Sequence, residues 1–311
     1  MQNLFKYFLV TIFIVVSVFG ISQFNIFEVD LNQISKASPQ KIAAEQDASG
    51  MVYPLVEARK QLLEPLPWEE DAKFKGTILK HHTPIMMAKY HATLHDPLPG
   101  EMYNVGLAAD RLAGTVVMPG EIFSQNRKLG PYTSAKGYQE GPMYKGTAVV
   151  KSTGGGVCKI ASLLYNVATL SNLRIIERHN HSMTVPYVPP GQDATVYYGV
   201  KDLRFLNNTS GPIVIWADTV GNTLYMAIYG QNKPPKVTWH HETLKHIKYW
   251  SIYRTNFNLP KGTEKVVVPG QDGYLVRSWL TIEYEDGKIE KKNLGKNWYD
   301  ALPQVIERGP K

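Results

Sequence analysis

The sequence predicts an α+β fold, a helix packed on an antiparallel sheet. A small extended all-β module follows it, and an apolar segment precedes it. Three observations carry this. After Cys158, apolar residues recur at helical spacing: Ile160, Ala161, Leu163, Leu164, Val167 and Ala168. Further on, Ile213–Ala217 and Thr223–Tyr229 read as strands joined across Val220-Gly221-Asn222. From Lys236 the pattern restarts as strands and glycine turns. A helix followed by antiparallel strands argues against a doubly wound parallel sheet.

Length and composition bound the function. The 311 residues are 43% hydrophobic and 20% charged, enough for one large core or two modest ones. The net charge of +7 suits an anionic surface such as a cell wall or lipid headgroups. No basic run interleaved with aromatics points to nucleic acid. The single cysteine rules out an intramolecular disulfide.

Taken in order, residues 1–28 form a signal anchor or signal peptide. Lys6 precedes the apolar run Tyr7–Ile21, and Glu28 and Asp30 follow it. That charge order places the bulk of the chain outside the cytoplasmic membrane, and the absence of an Ala-x-Ala site favours an uncleaved anchor. Residues 29–76 mix Pro39, Pro54, Pro65 and Pro67 with charges and read as a stalk, with helical turns over Ala58–Leu63. A first folded domain is expected over 77–231. In it Asn104 caps a helix running to Leu112 and ended by Gly114. Val116–Met118 and Glu121–Ser124 are strands about Pro119-Gly120. Lys128–Gly146 is a loop rich in glycine and tyrosine, leading to a strand over Thr147–Val150. Met183–Tyr187 and Ala194–Tyr198 are strands about Pro189-Pro190-Gly191. Residues 236–311 are the second module, expected to fold separately. It has strands at Tyr249–Phe257, Tyr274–Glu283 and Lys288–Lys292 and turns at Leu259–Gly262, Pro269–Gly273 and Asp286-Gly287. His240, His241 and His246 read as linker histidines at its entry, and His81, His82, His91 and His95 match no standard metal spacing.

Ser152–Ser182 concentrates the chemistry. Gly154, Gly155 and Gly156 precede Cys158, which opens the helix, and the strand Leu173–Glu177 leads to His179 and His181. A helix N-terminus and a nearby imidazolium both lower a thiol pKa. A thiol with a base in reach is the minimum for nucleophilic catalysis. Equally, a glycine turn before a helix serves tight packing, and a lone cysteine serves as a small buried hydrophobe.

Residues from about 83 to 230 resemble the VanW family, named for an accessory protein of vancomycin-resistance gene clusters. The matching pieces are Met118–Ser124 (MPGEIFS), Gly130-Pro131, Gly137-Tyr138, Gly154–Cys158 (GGGVC), Leu164-Tyr165-Asn166, Glu177-Arg178-His179, His181-Ser182 and Tyr187–Gly199 (YVPPGQDATVYYG). Asp202, Phe205 and Asn207-Asn208 continue the pattern. The family pattern has Gln after the cysteine, where this chain has Lys159. The resemblance implies a bacterial cell-envelope address and no settled activity. LPKGTEKVVVPGQDG, YEDGK and the closing Val305–Gly309 (VIERG) resemble a G5 domain. That resemblance implies adhesion to glycans or a spacer role, with the cell wall or a glycan polymer as partner.

Three chemistries compete. In the first, Cys158 is the nucleophile of a hydrolase or transferase acting on amide or ester bonds. His181 or His179 is its base, Asp193 or Asp202 the orienting acid, and N–H groups from Gly156 to Lys159 the oxyanion hole. The order Cys on a helix, then His, then Asp is loosely similar to papain-like and transglutaminase-like folds. Gly154, Gly155, Gly156, Lys159, Tyr138 and Arg178 are the candidate substrate contacts. In the second, the glycine turn and helix N-terminus bind a carboxylate or phosphate of wall polymers without catalysis. In the third, Cys158, His179 and His181 hold a metal. The preferred readings need no cofactor and no metal.

Overall fold

The computed structural model describes residues 65–94, 97–145 and 148–310. Contacts divide the chain into Met1–Ala43 and Ala44–Lys311. The apolar N-terminal segment, and the stalk as far as residue 64, lie outside the described residues. No helix among the described residues is long and apolar enough to cross a membrane.

The order of elements is α1 (Ala72–His81), β1 (Ile85–Thr93), α2 (Glu101–Leu112), β2 (Thr115–Val117), β3 (Ile122–Ser124), α3 (Gln125–Leu129), β4 (Glu140–Lys145), β5 (Ala148–Thr153), α4 (Cys158–Leu170), β6 (Arg174–Glu177), β7 (Arg204–Leu206), β8 (Ile213–Val220) and β9 (Thr223–Gly230). Then come β10 (Lys236–Ile247), β11 (Ser251–Thr255), β12 (Glu264–Val268), β13 (Gly273–Glu283), β14 (Ile289–Tyr299) and β15 (Gln304–Arg308).

An antiparallel sheet in the order β1-β9-β8-β2 is the platform. Its central strand β8 is apolar at every position from Ile213 to Ala217, because both faces are covered. Successive side chains of a strand point to opposite faces. Ile213, Ile215 and Ala217 join the main core with α2 and α4, and Val214 and Trp216 join a second core with Leu66, Trp68 and Phe74. β9 divides likewise, with Leu224, Met226 and Ile228 on one side and Tyr229 on the other. The second core includes residues from the C-terminal end of the expected stalk, Leu66, Trp68 and Phe74. Trp68 is buried and donates its indole N–H to Tyr229 at 2.9 Å. Asp71 caps α1, its carboxylate accepting the Phe74 N–H at 2.8 Å.

Four other local expectations change. β1 was not foreseen. α2 begins at Glu101 after Gly100, so Asn104 lies inside it. The expected loop Lys128–Gly146 contains the end of α3, a 3-10 turn at Ser134–Lys136 and β4. Residues 183–188 and 194–198 run as coil and turn apart from a bridge between Tyr197 and Lys201, because side chains, not a ladder, hold them.

The C-terminal module is all-β. β10, β13 and β14 form one antiparallel sheet. In the other sheet, β15 lies between β11, to which it is parallel, and β12, to which it is antiparallel. The expected linker histidines sit on β10: His240 stacks on Trp279 at 5.4 Å, and His246 meets Asp272 at 2.6 Å. The module is not detached. Trp239 packs edge-on to Tyr165 of α4 at 5.7 Å, and the Asp300 N–H donates to Ser182 O at 2.6 Å. Both modules fall in the single unit Ala44–Lys311.

Candidate active site

α4 begins at Cys158 and is buried along nearly its whole length, as its apolar composition requires. The turn before it is held by proximity. A Cβ on Gly155 would lie 2.3 Å from the carbonyl carbon of Gly141, and Gly156 has φ +105°, a conformation that favours glycine. Asn104, fully buried, locks this turn to β4. Its amide donates to Gln139 O and Gly155 O, both at 2.9 Å, and accepts the Gln139 N–H at 2.8 Å. The N–H groups of Val157 and Lys159 donate to Gly154 O and Gly156 O. Those of Gly156 and Cys158 have no acceptor among the described residues.

Two polar residues on α4 bring the acidic partner into place. Ser162 Oγ accepts the Ala194 N–H at 2.9 Å, and Asn166 donates to Gln192 O at 2.9 Å. The intervening Asp193 is thereby fixed beside the helix, its side chain 1% exposed. Asp193 Oδ2 accepts both the His181 backbone N–H and its Nδ1, each at 2.7 Å. Cys158, which is half-buried, lines the same cavity as His181 and feels its charge. The thiol also lies 3.4 Å from Thr195 Oγ1, accepts the Val196 N–H at 3.5 Å and lies 3.6 Å from Val196 O.

The electrostatics follow from burial and partners. Burial pushes the Cys158 thiol up, but the hydrogen bond and charge of His181, with Thr195 and Val196, bring it below its ordinary value. Burial pushes His181 down, and the Asp193 and Cys158 side chains outweigh it, raising the imidazole to about 9. Asp193 is raised by burial and lowered further by His181 and the Arg178 guanidinium, so it stays ionised. Both shifts act toward a thiolate beside an imidazolium oriented by a carboxylate.

The thiol opens into a cavity of about 580 Å³. Gly154, Gly155, Gly156 and His181 line it, with aromatic walls from Tyr132, Tyr187, Tyr197 and Tyr198. Lys159 also lines it, buried and ion-paired to Glu101, over the Tyr187 ring at 5.1 Å. Burial pushes its ammonium down to about 8, and the Glu101 carboxylate against it opposes that shift.

The remaining expected residues lie elsewhere. His179 turns away and bonds Glu177 at 3.1 Å, because residues 178–181 are not an extended strand that would keep both imidazoles on one face. The set Cys158, His179 and His181 is therefore not assembled as metal ligands. Among the described residues, no group of three or more His, Cys, Asp or Glu is placed to hold a metal ion. Asp202 caps α3 through Ser124 Oγ and the Asn126 N–H. Tyr138 is in the core, its hydroxyl donating to Leu129 O, and does not line the cavity. Arg178 is not free for a substrate: it donates to Asp193 O and Oδ1, to Gly191 O and to Asn297, and stacks on Tyr165. Thr195, Val196, Tyr187 and Glu101 were missed, although Tyr187, Thr195 and Val196 fall within the YVPPGQDATVYYG stretch.

Residues 100–229 match the family model described as VanW like protein, and residues 240–311 match that of the G5 domain. The uncharacterized protein YoaR of Bacillus subtilis (strain 168) is 33% identical over 160 residues, 51% of this chain and 53% of that protein. The vancomycin B-type resistance protein VanW of Enterococcus faecalis (strain ATCC 700802 / V583) is 28% identical over 139 residues, 43% of this chain and 50% of that one. The chain thus spans about half the length of these curated relatives. Among solved structures, the G5 domain of an IgA1 protease aligns over 26% of this chain and 99% of its own at 20% identity, with a TM-score of 0.17. The chain carries a VanW-like domain, with Cys158, His181 and Asp193 inside it, followed by a G5 domain.

Proposed function

We propose that this is an extracytoplasmic cell-envelope protein whose VanW-like domain is a cysteine-dependent acyl hydrolase or transferase acting on amide or ester bonds of wall material. The observation that carries the chemistry is the His181 imidazole, hydrogen-bonded to the Asp193 carboxylate at 2.7 Å and lining one cavity with the Cys158 thiol. The match to a protein named for vancomycin resistance, and the G5 domain, support the envelope setting and a wall or glycan partner.

The Cys158 thiolate attacks the carbonyl carbon, forming a C–S bond. The negative charge passes to the carbonyl oxygen, which the Cys158 and Gly156 N–H groups stabilise. His181 gives its proton to the leaving nitrogen or oxygen as the C–N or C–O bond breaks. Water, or an acceptor amine or hydroxyl, then loses a proton to His181 and attacks the thioester. The thiolate leaves, and the imidazolium pair is restored.

The test is the alkylation rate of Cys158 against pH. The midpoint is expected below the free value of about 8.5 and should rise when His181 becomes Ala. Slow alkylation with an ordinary or raised midpoint overturns the reading. The four tyrosines on the cavity wall favour a second reading, a binding site for sugar rings or wall peptides without catalysis. Cys158→Ser separates the two, since binding survives it and acyl transfer does not.

A further inference from the structure

We infer that the C-terminal module completes the candidate active site, with Tyr299 and Asn297 of β14 acting as positioning residues for Asp193 and, through it, His181. The inference deepens the proposed acyl chemistry and rests on that reading for its catalytic consequence. The clamp itself is measurable without turnover.

A buried carboxylate must have its lone pairs satisfied, and its orientation is set by whichever donors satisfy them. Oδ2 of Asp193 is taken by His181, while Oδ1 accepts Arg178 at 2.9 Å and the Tyr299 hydroxyl at 2.5 Å. Tyr299 is fully buried, and its oxygen accepts the Gly191 N–H at 2.6 Å. With a donor already on that oxygen, the hydroxyl proton is directed at Asp193. Arg178 is steadied from the same strand, its guanidinium donating to the Asn297 side chain. The alternation of a strand places Asn297 and Tyr299 on one face, both buried, while Trp298 between them is exposed. Around this face the strand end is stitched to the segment carrying the imidazole. Asn180 donates to Trp298 O at 3.1 Å, and the Asp300 N–H donates to Ser182 O at 2.6 Å. Two positions at the end of β14 therefore support a carboxylate more than a hundred residues earlier, from across the seam between the modules.

The charged groups near His181 are Cys158 and Asp193, with Arg178 beyond Asp193 and Tyr165 and Tyr299 against that pair. If the clamp holds Oδ2 on the imidazole, loosening Oδ1 weakens the imidazolium. The experiment is an NMR titration of the His181 imidazole in the full chain, comparing Tyr299→Phe, Asn297→Ala and Asn297→Asp with Lys296→Ala, an exposed position on the same strand. Tyr299→Phe and Asn297→Ala are expected to lower the proton affinity of His181 about tenfold. Asn297→Asp, which keeps an acceptor for Arg178 and adds a negative charge, should not fall below the wild-type midpoint, and Lys296→Ala should stay at it. A His181 midpoint that is unchanged or raised in both Tyr299→Phe and Asn297→Ala overturns the inference. Should Tyr299→Phe not fold, the Asn297→Ala and Asn297→Asp pair decides it by the same criterion. A lowered midpoint in the variants, with a wild-type chain that cleaves no wall material, removes the enzyme reading and leaves the clamp standing.

Discussion

The pH range of the proposed reaction follows from the protonation of Cys158 and His181. The thiolate forms above a thiol pKa held below its ordinary value, and the imidazolium is lost as pH rises through about 9. Turnover is therefore expected to be bell-shaped in pH, with its alkaline limb near the His181 value. A rate still climbing above roughly pH 10 would contradict His181 as the proton donor. The same pair contributes to stability. Because the folded pKa of His181 is raised, its contribution is complete below the unfolded value and is lost as pH rises through about 9. Lys159 supplies a second residue-level prediction. Its buried partner Glu101 would keep an uncompensated charge in Lys159→Met, at a cost of about 3 kcal/mol in urea unfolding. Glu101→Leu in the same chain should recover most of that loss, and a variant of wild-type stability would mean that the pair is not formed.

Among the elements, α1 and the turn before it have the clearest unforeseen role, since they cover the sheet face opposite α2 and α4. Trp68→Ala removes a buried indole and orphans the Tyr229 hydroxyl. It should cost about 3 to 5 kcal/mol, read as a fall in the urea midpoint. An unaffected midpoint would return residues 66–76 to the status of a stalk. The sequence made some elements legible and hid others for physical reasons. The α4 helix and the β8–β9 hairpin were readable because their burial imposes long apolar patterns. β1 was not, because Ile85–Thr93 is mostly half-exposed and its apolar residues do not alternate cleanly. Residues 183–198 have strand-like composition, yet Ser162, Asn166 and the neighbouring module take their hydrogen bonds. At the site, Cys158, His181 and Asp193 fall within one stretch of chain, where local pattern and resemblance reach them. Tyr299 and Asn297 do not, since nothing in a strand of a remote module signals which buried carboxylate its hydroxyl meets.

For the whole molecule, the charge order around the N-terminal apolar run predicts that the chain after it lies outside the membrane. A cysteine introduced between residues 30 and 64, in a Cys158→Ser background, should be labelled in intact cells by a membrane-impermeant reagent. Labelling only after lysis would contradict that orientation. The G5 domain closes with β15 lying parallel to β11, from Ser251 against Gln304 to Thr255 against Arg308. Tension that enters at Ser251 and leaves at Arg308 pulls these two strands lengthwise past each other. The bonds across all five paired positions are then strained together instead of parting one after another. A module built this way resists stretching until those bonds give together.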